Sequence, residues 1–519
     1  MEDTIYSLIP AVVMLGLVLL TRRILLSLGT GIIVGALLIH NFHILDSLKE
    51  IWHVFSGIFY TADGWNITNL YLLVFLILLG IITVLMIASG GSLAFGDWAI
   101  KHIKTRRDAQ LVPALLGLFI FIDDYFNNLA VGQVARPVTD RYRVSRAKLA
   151  YYIDSTSAPI TVIAPISSWG AFIIGILGPL FATQGITAYQ PLEAFIQMIF
   201  LNMYAFAAIL LVFLVAIFNI NIGPMKIHER RAIETGHLVD PLKDTMAGRL
   251  DQETTINKNG KIRHLVIPII VLAVTTVGAM LTTGYYAAPD HATILTMFEH
   301  TDVNLSLFIG GCLAALTGFI LYGLLKGKKL SSWKIIRMGA RSMQPAIGIL
   351  ILAWMIGSII ETIDTGGFLA SIAERASLNA SYLPLLIFIL TGFMALATGT
   401  SWGTFGIMLP IAAKVSVVYD VELVLPAMAS VLAGSVFGDH CSPISDTSIL
   451  SSTGAGANHI DHVMTQLPYV MISAAASVVG YLVFAWTGQV VWSLIITLFC
   501  VTLTALLWKK YHDNHEENE

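Results

Sequence analysis

Apolar runs long enough to cross a lipid bilayer recur from one end of this chain to the other. A helix needs about 17–25 mostly apolar residues to span the hydrocarbon. Such runs lie near 5–20, 24–39, 70–88, 149–181, 194–219, 265–283, 305–325, 344–363, 423–456, 467–486 and 489–508. Only 12% of the 519 residues are charged, against about 25% in soluble domains. The sequence therefore predicts an all-α polytopic membrane protein with about eleven transmembrane spans.

The lysine and arginine residues indicate how the chain crosses the membrane. Cytoplasmic loops carry an excess of both residue types, and six segments hold 27 of the 30 in this chain. These segments are 22–23, 101–107, 136–148, 220–264, 326–343 and 509–510. If all six are cytoplasmic, the N-terminus lies outside, the C-terminus lies inside, and the number of crossings is odd.

Two further apolar stretches, 111–135 and 383–412, fit re-entrant hairpins better than full spans. The first is flanked on both sides by basic segments, so it is expected to enter from the cytoplasm and return there. The flanks of the second are poor in Lys and Arg, which predicts entry from outside. Non-helical backbone at membrane depth is tolerated only inside protein or beside a water-filled cavity. Two polar hairpin tips from opposite faces therefore predict a shared central site.

One order of elements occurs twice: a span, a hairpin, a broken span with an Asp-…-Pro motif, and a further span. This order predicts an inverted-topology repeat, with the first half at 1–219 and the second at 265–486. The charged segment 220–264 would be the cytoplasmic linker, and 487–519 would add one span and a cytoplasmic tail. Discontinuous helices paired across such a repeat point to a transporter's binding site, because their ends can hold ions.

Oxygen-bearing side chains are concentrated at the hairpin tips and the broken spans. The first half contributes Asp123, Asp124, Asn127, Asn128, Asp154, Ser155, Thr156 and Ser157. The second half contributes Thr398, Thr400, Ser401, Thr404, Asp439, His440, Ser442, Ser445, Asp446 and Thr447. A charged group at bilayer depth is costly and is usually retained to act on an ion or a proton. We predict a sodium site that includes Asp123, Asp154, Thr156, Asp439 and Asp446.

The sign of the buried charge narrows the substrate. Five aspartates fall in the interior and no Lys or Arg falls clearly within a span, which favours a cation. Helix N-termini, however, can hold a carboxylate without a basic side chain. Aspartates packed together at low dielectric are not expected to be ionised all at once, so a cation and a proton would compete for the same oxygens. His440, beside Asp439, adds a group that titrates near neutral pH.

Each candidate also has a purely structural explanation. The adjacent aspartates of the first hairpin could cap its second half-helix, and Asp154 could cap a local turn. His440 could be a packing histidine, and serine and threonine hydroxyls often bond back to helix carbonyls. The sequence Ser168-Trp169-Gly170 is echoed by Ser401-Trp402-Gly403. The two copies fall in elements that the repeat does not align, and both tryptophans fit packing roles.

Four longer motifs make the chain similar to a known family. They are Phe121-Ile-Asp-Asp-Tyr-Phe-Asn-Asn-Leu, Asp140-Arg-Tyr-Arg-Val-Ser-Arg-Ala-Lys-Leu-Ala, Asp154-Ser-Thr-Ser-Ala-Pro-Ile and Gly438-Asp-His-Cys-Ser-Pro-Ile-Ser-Asp-Thr. Together they resemble the NhaC family of bacterial sodium/proton antiporters, over roughly 70–470. The resemblance implies an alternating-access carrier, a homodimer, in the bacterial cytoplasmic membrane. It supports as site residues Asp123, Asp124, Asn127, Asp154, Thr156, Asp439, His440, Ser442, Asp446 and Thr447.

The main prediction is a secondary transporter that exchanges sodium, or another monovalent cation, for protons. The resemblance leaves open a sodium- or proton-coupled carrier of an organic acid such as malate or lactate, or of an amino acid. A channel is a further alternative, since re-entrant hairpins also suit pores, although dense acidic sites favour occlusion over fast flow. No enzyme activity, cofactor or nucleic-acid partner is expected. The predicted ligands are Na⁺ and H⁺, and the surroundings are the lipid bilayer.

Overall fold

A computed structural model describes residues 5–21, 23–62, 64–121, 123–165, 167–242, 257, 259–288, 293–327, 329–364, 368 and 380–516. These residues are almost entirely helical, and the strands described among them form one antiparallel pair, β1 (Tyr60–Thr61) with β2 (Gly64–Trp65). The helices before the linker are α1 Ile9–Thr21, α2 Ile24–Ile39, α3 Ile44–Gly57, α4 Ile67–Ala88, α5 Gly91–His102, α6 Arg106–Phe119, α7 Asp124–Arg141, α8 Arg146–Ile163, α9 Ser168–Gln184, α10 Pro191–Leu201 and α11 Met203–Phe218. The linker and the second half have α12 Pro224–Thr235, α13 Arg263–Ala287, α14 Ile294–Glu299, α15 Val303–Gly323, α16 Ser332–Thr362, α17 Leu383–Thr398, α18 Ser401–Tyr419, α19 Val424–Cys441, α20 Asp446–Ala455, α21 His459–Thr487 and α22 Val490–Glu516.

Helices long and apolar enough to cross a membrane are numerous. Within the described residues there are eight of them, or up to ten if each of two bent pairs counts as one span. The bent pairs are α8 with α9, at 43°, and α10 with α11, at 51°. Shorter apolar helices occupy Ile5–Met14 and Leu25–Ile39. The prediction of a helical, multi-pass membrane protein is confirmed, whereas the eleven spans and their orientation stay predictions.

The first predicted hairpin corresponds to α6, which ends at Phe119, and α7, which begins at Asp124. The hydroxyl of Tyr142, just after α7, donates to the carbonyl of Ile103, just before α6. The two arms therefore return to the same end of the molecule, as a hairpin requires. The arms extend beyond the predicted 111–135, because a capping box at Thr105 already starts α6 within the basic segment.

The second predicted hairpin corresponds to α17 and α18, which are separated by Gly399 and Thr400. Gly399 has a φ of 71°, a left-handed conformation that glycine adopts without strain and that commonly ends helices. The order α16, α17–α18, α19–α20, α21 repeats the order α4, α6–α7, α8–α9, α10–α11. The inverted topology and the limits of the two halves stay predictions.

The break in the first broken span lies later than predicted. Residues 154–159 are inside α8, which ends at Ile163, and α9 begins at Ser168. Pro165 stands in this break, and Ala164 before it is extended, with ψ at 116°, as the residue before a proline prefers. The second broken span does break at its motif, since the segment between α19 and α20 contains Pro443.

Two large apolar cores hold the broken elements. One core combines α9, α10 and α11 with α17, α18 and α19. The other combines α1, α2, α4, α13, α15 and α16 with the first turns of α7 and with α20. The breaks are thus supported from two sides. The predicted linker begins with α12, and its residues 243–256 and 258 lie outside the described residues.

Candidate functional site

Four helices begin at the breaks, and a side chain caps each of them. The caps are Asp123 for α7, Ser167 for α9, Thr400 for α18 and Ser445 for α20. Each accepts a hydrogen bond from the backbone amide three residues later, over 2.9, 2.9, 3.4 and 3.3 Å respectively. Such caps satisfy amide donors that a helix start leaves unpaired. The capping role considered for Asp123 is therefore present, and it uses only Oδ1 of the carboxylate.

Side chains of the first turns connect these helix starts. The Ser168 hydroxyl of α9 donates to Asp123 Oδ2 over 2.9 Å. The rings of Trp169 and Trp402, from α9 and α18, meet edge to face with centroids 5.6 Å apart. The positive ends of helix dipoles therefore lie beside a group of carboxylates, and they stabilise negative charge there.

Asp123, Asp124 and Asp446 form this group of carboxylates, which we call the outer acidic group. The Trp169 Nε1 donates to Asp124 Oδ1 over 2.9 Å, while Asp124 Oδ2 is buried and has no hydrogen-bond partner among the described residues. The Tyr125 hydroxyl donates to Asp446, which connects α7 with α20. One buried carboxylate oxygen is thus left for a ligand.

A cavity of about 580 Å³, the outer cavity, opens on to this group. Its described lining includes the three acids, Thr400, Trp402 and residues 298 and 300–304 before and at the start of α15. Thr68, at the start of α4, also lines it. The lysine and arginine pattern predicts that this end of α4 lies outside, and the cavity is named after that prediction.

Asp154 belongs to a second, fully buried group formed with the other half of the chain. Its Oδ2 accepts from the Ser448 hydroxyl over 3.0 Å and from Gln466 Nε2 over 2.6 Å, and lies 3.2 Å from His462 Nε2. Its Oδ1 is buried without a hydrogen-bond partner in the described part of the chain. The local cap considered for Asp154 is not its role here, because these partners come from α20 and α21.

Asp439 lies next to this second group. The Thr447 hydroxyl donates to Asp439 Oδ2 over 2.5 Å, and Asp439 Oδ1 is another buried oxygen without a described partner. Asp446, Thr447 and Ser448 are consecutive, so the first turn of α20 contacts Tyr125 of the outer group, Asp439 and Asp154. We call Asp154 and Asp439, with their donors, the inner acidic group.

Buried amide and imidazole groups lie on α7 and α19, two of the helices that carry the acids. His440 is fully buried, and its Nδ1 lies 2.9 Å from the Tyr204 hydroxyl. Asn127 donates to the carbonyls at the end of α6, and Asn128 donates to the Thr447 carbonyl. The amide oxygens of both asparagines are buried without a described partner. They are acceptors that a cation could use.

Several predicted hydroxyl ligands instead bond to helix carbonyls. Thr156, Ser157, Thr398 and Thr404 donate back within their own helix or its cap, and Ser401 and Ser442 donate to carbonyls of α19 and α17. Ser155 is buried in α8. No three His, Cys, Asp or Glu side chains of the described residues surround one metal position. Of the five predicted sodium residues, Asp123 and Asp446 belong to the outer acidic group and Asp154 and Asp439 to the inner one. Thr156 donates to the Tyr152 carbonyl and joins neither group. The sodium site stays a prediction.

The sequence analysis missed several residues that hold the acids. They are Tyr125, Ser168, Ser448, His462 and Gln466. Tyr204, which contacts His440, was not predicted either, and Trp169 was assigned to packing alone. The repeated Ser-Trp-Gly sequence was a usable signal, because both copies form the first turn of a helix after a break and they contact each other. His462 and Gln466 are four residues apart in the long apolar helix α21, a spacing that places both on one face.

The linker helix α12 is joined to the far ends of the hairpin and of α8. Glu229 is 1% exposed; its carboxylate lies 2.5 Å from Arg106 Nη2 and 3.3 Å from Lys148 Nζ, and it accepts from the Ser145 amide over 2.7 Å. Burial alone would raise the pKa of Glu229, but Lys148 and Arg106 hold that pKa below its usual value. The side chain is therefore an ionised anchor between linker and transmembrane helices.

Comparison with known proteins identifies the family. The model of the Na⁺/H⁺ antiporter family matches residues 160–486. The chain belongs to this family. The predicted membership and the predicted class, a membrane antiporter for a cation and protons, are confirmed. The match includes the motif with Asp439 and Asp446 and begins after Asp154.

Individual relatives vary in how much of the chain they cover. An uncharacterized protein of Haemophilus influenzae is 43% identical over 513 residues, 96% of each chain. An uncharacterized Na⁺/H⁺ antiporter of the same organism is 35% identical over 26% of this chain and 28% of its own. The malate-2H⁺/Na⁺-lactate antiporter of Bacillus subtilis is 28% identical over 36% and 40%. The solved structure of Neisseria gonorrhoeae MtrF covers 90% of this chain and 85% of its own, with 14% identity and a TM-score of 0.33.

Proposed function

We propose that this protein exports sodium, or a related monovalent cation, in exchange for protons, and that the two acidic groups hold cation and proton in turn. The observation that carries the proposal is a set of buried oxygens without described partners. They are Asp124 Oδ2, Asn127 Oδ1, Asn128 Oδ1, Asp154 Oδ1, Asp439 Oδ1 and Gln466 Oε1. A buried polar atom normally has a partner, and hard cations are bound by oxygen ligands of this kind.

The exchange follows from the cost of buried charge. Each acid lies close to another acid or shares a donor turn with one, and several like charges in a low-dielectric site are not stable together. A bound cation compensates part of this charge, and when it leaves, a proton must replace it or an uncompensated charge remains buried. Cation and proton thus bind the same oxygens in turn. This competition is sufficient to couple cation transport to proton transport.

Alternating access would expose the acids to each side of the membrane in turn. The outer cavity reaches the outer acidic group from one end of the molecule, while the broken helices and the hairpin α6–α7 offer elements that can shift around a central site. We place the N-terminus outside, the C-terminus in the cytoplasm and the protein in the bacterial inner membrane. We also propose a homodimer, by resemblance to the family.

A coupled carrier of organic acids is the second candidate, since one relative is named a malate-2H⁺/Na⁺-lactate antiporter. Helix starts at α9 and α18 could accept a carboxylate. The described residues that line the outer cavity, however, include four aspartates and no lysine or arginine. A carboxylate there would face like charges, so cation exchange is the better-supported function.

The test is ion flux in reconstituted vesicles loaded with a pH-sensitive dye. We expect sodium to dissipate an imposed pH gradient, and Asp124→Asn, Asp154→Asn and Asp439→Asn each to reduce this exchange at least tenfold. Asp46→Asn is the control, because Asp46 forms an exposed pair with Lys49. If sodium leaves the gradient of the wild-type vesicles unchanged, the proposed function is wrong. Labelled malate and lactate in the same vesicles test the second candidate.

A further inference from the structure

The outer cavity is larger than a sodium ion requires. Its volume is about 580 Å³, while a water molecule occupies about 30 Å³ in the liquid. Pockets for small organic ligands measure about 300–1,000 Å³. The cavity therefore has the size of an organic-ligand site.

The charge of the cavity selects the sign of such a ligand. Asp123, Asp124, Asp302 and Asp446 line it, and His300 is the basic side chain among its described lining residues. Asp302 accepts a hydrogen bond from the Leu305 amide over 2.9 Å and so caps α15, which compensates part of its negative charge. The remaining excess of carboxylates attracts a cation and disfavours an anion.

One carboxylate oxygen points to a ligand independently of this excess. Asp124 lines the cavity and is 1% exposed, and its Oδ2 lacks a hydrogen-bond partner among the described residues. Its other oxygen is fixed by Trp169 Nε1, which sets the orientation of the carboxylate. A positively charged group in the cavity would satisfy Oδ2.

Aromatic rings line the same cavity. Trp402, Phe172 and Tyr125 are each partly exposed there, and the rings of Trp402 and Phe172 pack edge to face at 4.7 Å. Ring faces attract ammonium groups, most strongly when the ion is alkylated and weakly hydrated. The alkyl groups of an organic cation can pack against these rings, whereas a sodium ion has no alkyl groups to do so.

We propose that the outer cavity binds a small organic ammonium ion, with its charged nitrogen at Asp124 and its alkyl groups against Trp402 and Phe172. This inference rests on the proposed cation exchange, because the organic cation would take the place of sodium and would be exchanged for protons at the same acids. The size and lining of the cavity thus indicate organic ammonium ions as a substrate class beside sodium.

The experiment measures equilibrium binding of radiolabelled tetraethylammonium to the full-length protein in detergent, beside sodium/proton exchange in vesicles. We expect saturable binding that sodium competes away. Trp402→Ala should weaken it about tenfold and Trp402→Phe should largely restore it, because phenylalanine keeps a ring face. Trp333→Ala, at a tryptophan 73% exposed and outside the cavity, is the matched control. Phe172→Leu provides a second variant if Trp402→Ala is poorly folded.

The two readouts separate the two proposals. Saturable binding that the ring variants weaken and the control leaves unchanged supports the inferred ammonium site, and the exchange assay tests the proposed function separately. Absence of saturable binding, or equal binding in Trp402→Ala and wild type, overturns it. Sodium/proton exchange that persists in that case leaves the proposed function intact, whereas binding without any exchange contradicts the proposed function alone.

Discussion

Asp154 has one carboxylate oxygen that three polar side chains contact and one that has no hydrogen-bond partner among the described residues. This asymmetry is what a cation site needs, because the crowded oxygen fixes the side chain while the free oxygen stays available. Gln466 supplies the shortest of these contacts, over 2.6 Å, and also donates to the His440 carbonyl. A single amide thus orients the acid and the end of α19.

Gln466→Leu should therefore impair exchange although Gln466 bears no charge. A lost hydrogen bond to a charged group costs about 1.5–3 kcal/mol, which corresponds to a loss of about tenfold or more in apparent sodium affinity. The measurement is the sodium concentration that half-dissipates an imposed pH gradient. Gln197→Leu is the control, because Gln197 is exposed and donates to the exposed Glu193 on the same helix. Equal sodium affinity in both variants would contradict the role given to Gln466.

At the scale of helices, the site depends on a close crossing of α7 and α20. A Cβ atom at Gly132 would lie 2.4 Å from the Gly454 carbonyl carbon, so only glycine allows this approach. The same two helices carry the Tyr125–Asp446 contact. Their crossing therefore sets the distance between Asp446 and the hairpin acids.

Gly132→Ala should lower both stability and exchange. Overpacking a close contact costs about 1–3 kcal/mol, and separating α7 from α20 would move Tyr125 away from Asp446. Gly406→Ala is the matched control, because a Cβ there meets nothing within 4 Å and alanine favours the helix by up to about 1 kcal/mol. Apparent melting temperature and exchange rate should fall in the first variant only. If melting temperature and exchange rate fell equally in Gly132→Ala and Gly406→Ala, the close crossing of α7 and α20 would not be what the site depends on.

Helical elements were predictable where a local sequence pattern marks them. Basic flanks and apolar length located the hairpin α6–α7 and the charged start of the linker. The partners of Asp154 were not predictable, because Ser448 and Gln466 are 294 and 312 residues away in sequence and no local pattern records that packing. The break after α8 was misplaced, because Pro159 is tolerated inside the helix and Pro165 ends it.

At the scale of the whole molecule, the linker helix α12 is fixed to both the hairpin and α8 through Glu229. Glu229→Gln leaves Arg106 and Lys148 without their anion, and breaking a buried pair costs about 3–5 kcal/mol. Because the pKa of Glu229 is lowered on folding, its ionised form stabilises the protein at neutral pH. This contribution is lost as the pH falls through the lowered pKa.

The expected result is a lower apparent melting temperature of Glu229→Gln at pH 7.5 and a difference from wild type that shrinks below about pH 4, under the ordinary glutamate pKa. Glu234→Gln on the same helix is the control, because its pair with Arg230 is exposed and such pairs contribute about 0–1 kcal/mol. A difference between Glu229→Gln and wild type that is independent of pH would show that Glu229 acts by packing rather than by charge.

Two cavities lie near opposite ends of α4, and the outer acidic group lines one of them. Thr68 lines the outer cavity, whereas Thr83 and Ser92 line a second cavity of about 370 Å³ near the basic segments. At about 1.5 Å per residue, Thr68 and Thr83 are about 23 Å apart along the helix. Asp123, Asp124 and Asp446 line the first cavity and are not among the described residues lining the second. Among the described residues, the three outer acids therefore border the first cavity and not the second, and alternating access requires such a difference between the two sides.

Single cysteines at Thr68→Cys and Ser92→Cys, in a chain whose Cys312, Cys441 and Cys500 are replaced by serine, test this arrangement. We expect a membrane-impermeant maleimide to label the first position from the outside and the second only in inside-out vesicles. Sodium should change the two labelling rates in opposite directions, because one cavity closes as the other opens. Asp124→Asn should abolish the sodium response while both positions remain reactive. Labelling of both from one side would overturn the proposed orientation, and parallel rate changes would overturn alternating access.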